Sequence, residues 1–204
     1  MLIKTLVVGH LDTNCYVVTD ENTLECAVID PGAESNTILD YLEDNHLKCV
    51  AVMLTHAHFD HTGALAAVLE ETGARCYVSA REVGTSVSGY DAGFKAPEGA
   101  FLYGEGDEVR VGSLTFRVME TPGHTPGGVT LICGDALFTG DTLFRLSCGR
   151  TDLPGGDMKE ELRSLKRLGE LPGDYEVYPG HAESSRLSTE REHNPYMRHA
   201  LERL

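Results

Sequence analysis

The segment Thr55–His61, THAHFDH, places His56, His58, Asp60 and His61 within six positions. His124 (in TPGHTPGG), Asp141 (in FTGDTLF) and His181 (in YPGH) follow singly, each in a glycine- or proline-rich turn after an apolar stretch. Neutral imidazole and carboxylate are the donors that suit Zn²⁺, Fe²⁺ and Mn²⁺. Seven such residues exceed what a single tetrahedral ion accepts, and a catalytic ion keeps one position open. They are about right for two ions that share a carboxylate and a bridging water. An apolar run, VAVML at Val50–Leu54, leads straight into the cluster, which a solvated charged face would not require. His10, His46, His193 and His199 stand apart and read as ordinary surface or core histidines.

Elements that could bring these residues together follow from the pattern of apolar residues and breakers. Three strands are expected early, at Leu2–Gly9, Cys15–Thr19 and Glu25–Asp30, the last stopped by Pro31-Gly32. Ser35 reads as the N-cap of a helix with Ile38, Leu39 and Leu42 on its apolar stripe. Cys49–Leu54 is continuously apolar, as for a strand buried on both faces. A helix follows the histidine run, with Leu65, Val68 and Leu69 on one face and Gly73 as its stop. Residues 84–106 show little periodicity and read as loop. Strands resume at Ser113–Glu120, Val129–Cys133, Asp135–Thr139 and Glu176–Tyr178. Asp157 and Glu160 form a capping box that opens a helix bearing Met158, Leu162, Leu165 and Leu168. Asn194-Pro195 opens a last helix. The strands come in sets of two or three rather than in strict alternation with helices. That grouping favours two sheets covered by helices over a doubly wound sheet.

At 204 residues, 41% hydrophobic and 24% charged, the chain has the length and composition of one soluble domain, expected to span residues 1–204. A net charge of −15 argues against nonspecific nucleic-acid binding and against adhesion to an anionic membrane. The cysteines (15, 26, 49, 76, 133 and 148) are scattered without a CxxC pair, and read as reduced, mostly buried thiols. MLIKTLVVGH lacks the pattern of a secretory signal, and no apolar run reaches the length of a membrane span. A cytoplasmic location is therefore expected.

THAHFDH resembles the HxHxDH signature of the metallo-β-lactamase-fold hydrolases, and TPGHTPGG, FTGDTLF and YPGH follow in the family's order. The resemblance spans nearly the whole chain. It implies an α/β (α+β) fold, an αββα sandwich of two mixed β-sheets flanked by helices, with two metals at one edge. By the same resemblance His56, His58 and His124 hold one ion, Asp60, His61 and His181 hold the other, and Asp141 bridges. Asp30, in VIDPG, matches the family's first motif and would orient a ligand rather than coordinate. Zinc is the expected ion, with iron or manganese suited to the same donors. Two dications outweigh Asp60, Asp141 and a bridging hydroxide, so the site would polarise a carbonyl and supply hydroxide near neutral pH. Asp60 would hold the hydroxide and receive its proton. No GxSxG elbow is present, and none is needed.

Within that family SCGRTDLPGGD (Ser147–Asp157) resembles the glyoxalase II-like thioester hydrolases, of the short hydroxyacylglutathione hydrolase type. The implied partner is a small-molecule thioester, with no nucleic acid and no membrane involved. Arg150 stands where the family places a basic residue that binds the glutathione carboxylate; a structural salt bridge is the alternative role. Three features depart from that family: the chain ends at Leu204, before a longer helical region; Asp152 replaces an aromatic; and AES follows His181. These leave the thiol partner open. The rival is a mononuclear iron persulfide dioxygenase of the same fold, which also carries a CGRTD-like segment and would use His56, His124 and Asp141. A zinc β-lactamase would call for a signal peptide, and a nuclease for a basic surface and an added domain. The sequence does not specify an oligomeric state.

Overall fold

Side chains on successive strand positions pack into different layers, and that alternation builds the molecule. The computed structural model describes residues 1–86 and 93–204. Leu2–Val8 (β1), Thr13–Thr19 (β2), Glu25–Ile29 (β3), Lys48–Met53 (β4), Arg75–Ser79 (β5) and Phe101–Tyr103 (β6) form one sheet in that order. β1 to β3 pair antiparallel and β3 to β6 parallel. The second sheet contains Glu108–Val111 (β7), Leu114–Glu120 (β8), Val129–Cys133 (β9) and Ala136–Gly140 (β10). Leu143–Phe144 (β11) and Ser147–Cys148 (β12) then make a short ribbon of their own. Glu176–Pro179 (β13) and Ser185–Arg186 (β14) complete the second sheet, in the order β14-β13-β10-β9-β8-β7. Its β10–β13 pair is parallel and the others are antiparallel, so both sheets are mixed.

Between the sheets, Tyr16, Val18, Ile29 and Met53 meet Phe116, Val118, Leu131 and Phe138. The alternate residues of the first sheet, Val17, Val28 and Val52, face the helices Ser35–Asp44 (α1) and Leu65–Thr72 (α3), which lie either side of the single turn Phe59–Thr62 (α2). The alternate residues of the second, Ile132, Leu137 and Val177, lie under Met158–Gly169 (α4) and Pro195–Arg203 (α6), with Leu187–His193 (α5) between them in sequence. This is the expected αββα sandwich. Among the described residues no helix is long and apolar enough to cross a membrane. All six cysteines are free thiols, five buried and Cys148 half-buried.

Three local expectations are corrected. Ser35 is the first helical residue and not the cap; Glu34 occupies the cap with φ 53° and sends its carboxylate to Gly9 N instead. β6 forms inside the segment expected to be loop, and β5 and β7 carry no sequence expectation; residues 87–92 of that loop lie outside the described residues. β6 is short and leaves Phe101 and Leu102 exposed, so its placement rests on pairing with β5 and on Tyr103, whose hydroxyl donates to Leu54 O at 2.6 Å. Half of the capping box forms: Asp157 accepts from Lys159 N and Glu160 N, while Glu160 pairs with Arg163. Asn194 caps α6 as expected, accepting from Tyr196 N and Met197 N.

Phe138 is fully buried between the sheets and packs edge-on to Tyr16 at 5.3 Å. Phe138→Ala is expected to lower the unfolding free energy by about 3–5 kcal/mol in denaturant titration; a loss below about 1 kcal/mol would mean that the inter-sheet layer is not the stabilising core.

Candidate metal centre

β3, β4, β8, β10 and β13 all end at the same edge of the sandwich, and the segment after each brings one or more of the predicted residues there. Asp30 follows β3, with φ 52°, a conformation that turns the chain out of the strand. Thr55 to His61 follow β4; His58 precedes the turn α2, which carries Asp60 and His61. His124, Asp141 and His181 follow β8, β10 and β13. The sheets are stitched together here by Val129 N donating to Thr55 O (2.9 Å) and Asn14 N donating to Gly180 O (2.8 Å). Gly180 must lack a side chain, because a Cβ would lie 2.2 Å from Asp141 Oδ1 and 2.8 Å from His61 Cε1.

All seven predicted donors meet at this edge. His56, His58 and His124 form one group whose donor atoms lie within 4.8 Å of one another, and Asp60, His61 and His181 form another. Asp141 stands between them, with Oδ2 at 3.5 Å from His124 Nε2 and from His181 Nε2, and Oδ1 at 3.4 Å from His61 Nε2. Within the second group, Asp60 Oδ2 lies 3.2 Å from His181 Nε2 and 3.5 Å from His61 Nε2. Donors about 2.0–2.1 Å from a tetrahedral ion lie roughly 3.3 Å from one another, so these spacings suit a shared cation better than direct hydrogen bonds. His56 Nε2 and Asp141 Oδ1 are buried with no hydrogen-bond partner, which a cation would supply. The donor set therefore fits divalent metal ions.

The far side of each ring fixes which nitrogen is available. His124 Nδ1 donates to Arg150 O at 2.6 Å and His181 Nδ1 to Leu11 O at 3.0 Å, leaving both Nε2 lone pairs free. Asp30 Oδ1 accepts from Thr55 N at 2.7 Å; its Oδ2 accepts from the Thr55 hydroxyl at 2.5 Å and from His61 Nδ1 at 3.0 Å. That hydroxyl in turn accepts from His56 Nδ1 at 3.1 Å. Asp30 is close enough to His56 and His61 to be counted with them as donors, but its oxygens are already engaged by Thr55 and His61. His58 is the exception: its Nδ1 faces inward, 2.9 Å from His124 Nε2.

Burial, then the neighbouring His61 and His124, hold His56 well below the ordinary imidazole range. Burial and His124 bring His58 down to about 4. His61 behaves oppositely: burial opposes its charge, but Asp141 and Asp30 outweigh it and raise the ring well above that range. Burial also opposes charge on Asp60, yet the bond to His181 and the charge of His61 hold its carboxyl below the usual range. Protons on the rings facing these carboxylates thus stand in for positive charge that metal ions would bring.

Two further residues shape the centre and leave no trace in the sequence, because their partners are backbone amides from remote segments. Glu82 is fully buried after β5; its Oε2 accepts from Ala57 N and its Oε1 from Gly127 N, both at 2.8 Å. It ties the His56–His58 segment to the His124 loop. Glu161, buried in α4, accepts from His124 N at 3.0 Å. In front of the centre lies an open cleft of about 560 Å³, walled by Leu11, Phe59, Phe144, Cys148 and Leu153. Arg150 lies at its rim, largely exposed, with Nε and Nη2 donating to Asp152 Oδ1 and Oδ2 at 2.7 and 2.8 Å.

The model of the metallo-beta-lactamase superfamily matches residues 8–181, a span that contains every donor above. The chain belongs to that superfamily. Full-length relatives within it include the probable metallo-hydrolase YqgX of Bacillus subtilis, 33% identical over 95% of this chain and 96% of the relative. The hydroxyacylglutathione hydrolase GloC of Haemophilus influenzae is 30% identical over 97% and 98% of the two chains. Among solved structures, the B3 metallo-beta-lactamase BLEG-1 superposes with a TM-score of 0.86 at 32% identity, covering 96% of this chain and 99% of that one. ETHE1 from Myxococcus xanthus gives 0.84 at 31%, covering 99% and 91%. TTHA1623, in a di-iron-bound form, gives 0.82 at 36%, covering 95% and 99%.

Burial raises the Glu161 carboxyl from 4.5 to about 9. Between those values the folded protein keeps a proton that the unfolded chain releases, so stability falls as pH rises through that window. Glu161→Gln keeps an acceptor for His124 N and removes the penalty. In metal-free protein the stability of this variant relative to wild type should improve by roughly 2–4 kcal/mol between pH 5 and 8. A pH-independent difference in denaturant titrations would show that Glu161 ionises freely in the fold.

Proposed function

We propose that this protein is a dinuclear metal-dependent hydrolase that cleaves small-molecule thioesters. In this reading His56, His58 and His124 hold one divalent ion, Asp60, His61 and His181 hold the second, and Asp141 serves both. The observation that carries it is the position of Asp141, whose two oxygens lie 3.4–3.5 Å from His124, His61 and His181, donors of both groups. Zinc is the proposed ion; iron and manganese suit the same donors. The proposal also takes residues 1–204 as one domain working in the cytoplasm.

Divalent ions held there would lower the pKa of a bound water to about 7 and polarise the acyl carbonyl. In this reading Asp60 receives a proton from the attacking water. Its Oδ2 sits beside His181 and accepts from the Thr13 hydroxyl at 3.3 Å, and its carboxyl stays charged at neutral pH. Leu11, Phe59, Phe144 and Leu153 offer an apolar wall to the neutral parts of a thioester and reduce water access around the scissile bond. A thioester suits such a site because its thiolate leaves as a stable anion. The likeness to the hydroxyacylglutathione hydrolase GloC supports the thioester class.

The CGRTD segment at Cys148–Asp152 supports a second reading, a mononuclear iron persulfide dioxygenase using His56, His124 and Asp141. That reaction leaves the second group, Asp60, His61 and His181, without a role, although its donors converge as closely as those of the first. The hydrolase reading uses both.

Cleavage of lactoylglutathione and of an uncharged acyl thioester, and oxygen uptake with glutathione persulfide, measured on one metal-analysed sample, separate the two. Cleavage without oxygen uptake is expected; oxygen uptake with a single iron would favour the second reading. Asp60→Ala is expected to lower kcat by about 10²–10⁴-fold with an unchanged circular dichroism spectrum. Near-wild-type turnover in that variant would remove Asp60 from the mechanism.

A further inference from the structure

We infer that Asp152 sets the charge selectivity of the cleft: by occupying the guanidinium of Arg150 it favours thioesters whose non-reacting end is uncharged. This inference deepens the thioesterase reading and rests on it. Among the described residues that line the cleft, Arg150 is the only lysine or arginine, so it is the natural partner for a substrate carboxylate. Its fork, however, is engaged by both oxygens of Asp152, at 2.7 and 2.8 Å, in the side-on geometry that a substrate carboxylate would need. The competitor is tethered two residues away, so its effective concentration at the fork is far above that of a dissolved ligand. Burial is slight on both sides, with 63% of the Arg150 and 69% of the Asp152 side chain exposed, and the pair is correspondingly weak in water. A carboxylate ligand can therefore displace Asp152, but it loses most of the attraction of Arg150 and meets a like charge.

Bond formation to Arg150 also brings the Asp152 carboxyl down to about 2, so the competitor stays ionised across the working pH range. The remaining walls point the same way. Leu11, Phe59, Phe144 and Leu153 present apolar surface, and the net charge of −15 disfavours the approach of anions. The substrate class that fits is a thioester with a neutral, apolar portion lying along this wall.

Binding of a thioether that cannot be cleaved tests the inference without turnover. The probes are S-ethylglutathione and its dimethyl ester, titrated calorimetrically into metal-loaded protein. Asp152→Asn is expected to tighten S-ethylglutathione about 5–20-fold and to change the ester by less than twofold; adding Arg150→Gln should abolish the gain. Equal affinities in wild type and Asp152→Asn, an equal gain for both probes, or a gain that survives loss of Arg150 would each overturn the role of Asp152. Failure of the wild-type protein to cleave any thioester would instead count against the hydrolase reading, and the binding comparison would still decide the role of Asp152.

Discussion

Five imidazoles and two carboxylates converge at one end of the sandwich, and the surrounding structure is arranged around that crowding. Such groups satisfy one another only in part: His58 Nδ1 and His124 Nε2 share a hydrogen bond at 2.9 Å, but His56 Nε2 and Asp141 Oδ1 have no partner, and protons or cations are needed to complete the cluster. Leaving an uncompensated charge buried costs several kcal/mol. The fold tolerates this arrangement because the donors hang from segments that are fixed elsewhere. Three rings are held through their far nitrogens by Arg150 O, Leu11 O and Asp30, and Glu82 and Glu161 hold the backbone of the ligand-bearing loops. A centre with its donors preset in this way pays little reorganisation when ions enter.

Much of this was legible in the sequence. The run THAHFDH after an apolar strand announced the centre, because four donors in six positions have no ordinary structural use. β2, β3, β4, β8, β9 and β10 were recoverable from their apolar runs, and α4 and α6 from Asp157 and Asn194, whose side chains do cap. What escaped was non-local. β6 is held by its pairing with β5, and Glu82 and Glu161 act on amides 25 to 45 residues away. The sequence pattern puts the cap at Ser35, one residue late, because Glu34 takes the cap position through its backbone while its side chain serves Gly9. No local pattern encodes contacts of that kind.

The two ends of the cleft differ in how much a sequence can say about them. Metal donors are constrained in type and spacing, so their motif carries chemistry directly. The mouth is constrained only by what the fold happens to bring there. Arg150 could be singled out by resemblance, but its engagement by Asp152 is a matter of geometry two residues further on. In the proposed reading, reaction class and substrate choice rest on different parts of the molecule, the first on the strand ends and the second on the segment after β12 and the apolar walls.

A dinuclear centre requires that the seven donors hold two ions. Chelated protein titrated with Zn²⁺ and followed by native mass spectrometry measures this directly. Saturation at two ions per chain is the predicted result, and saturation at one would contradict the shared role of Asp141 and the dinuclear centre built on it.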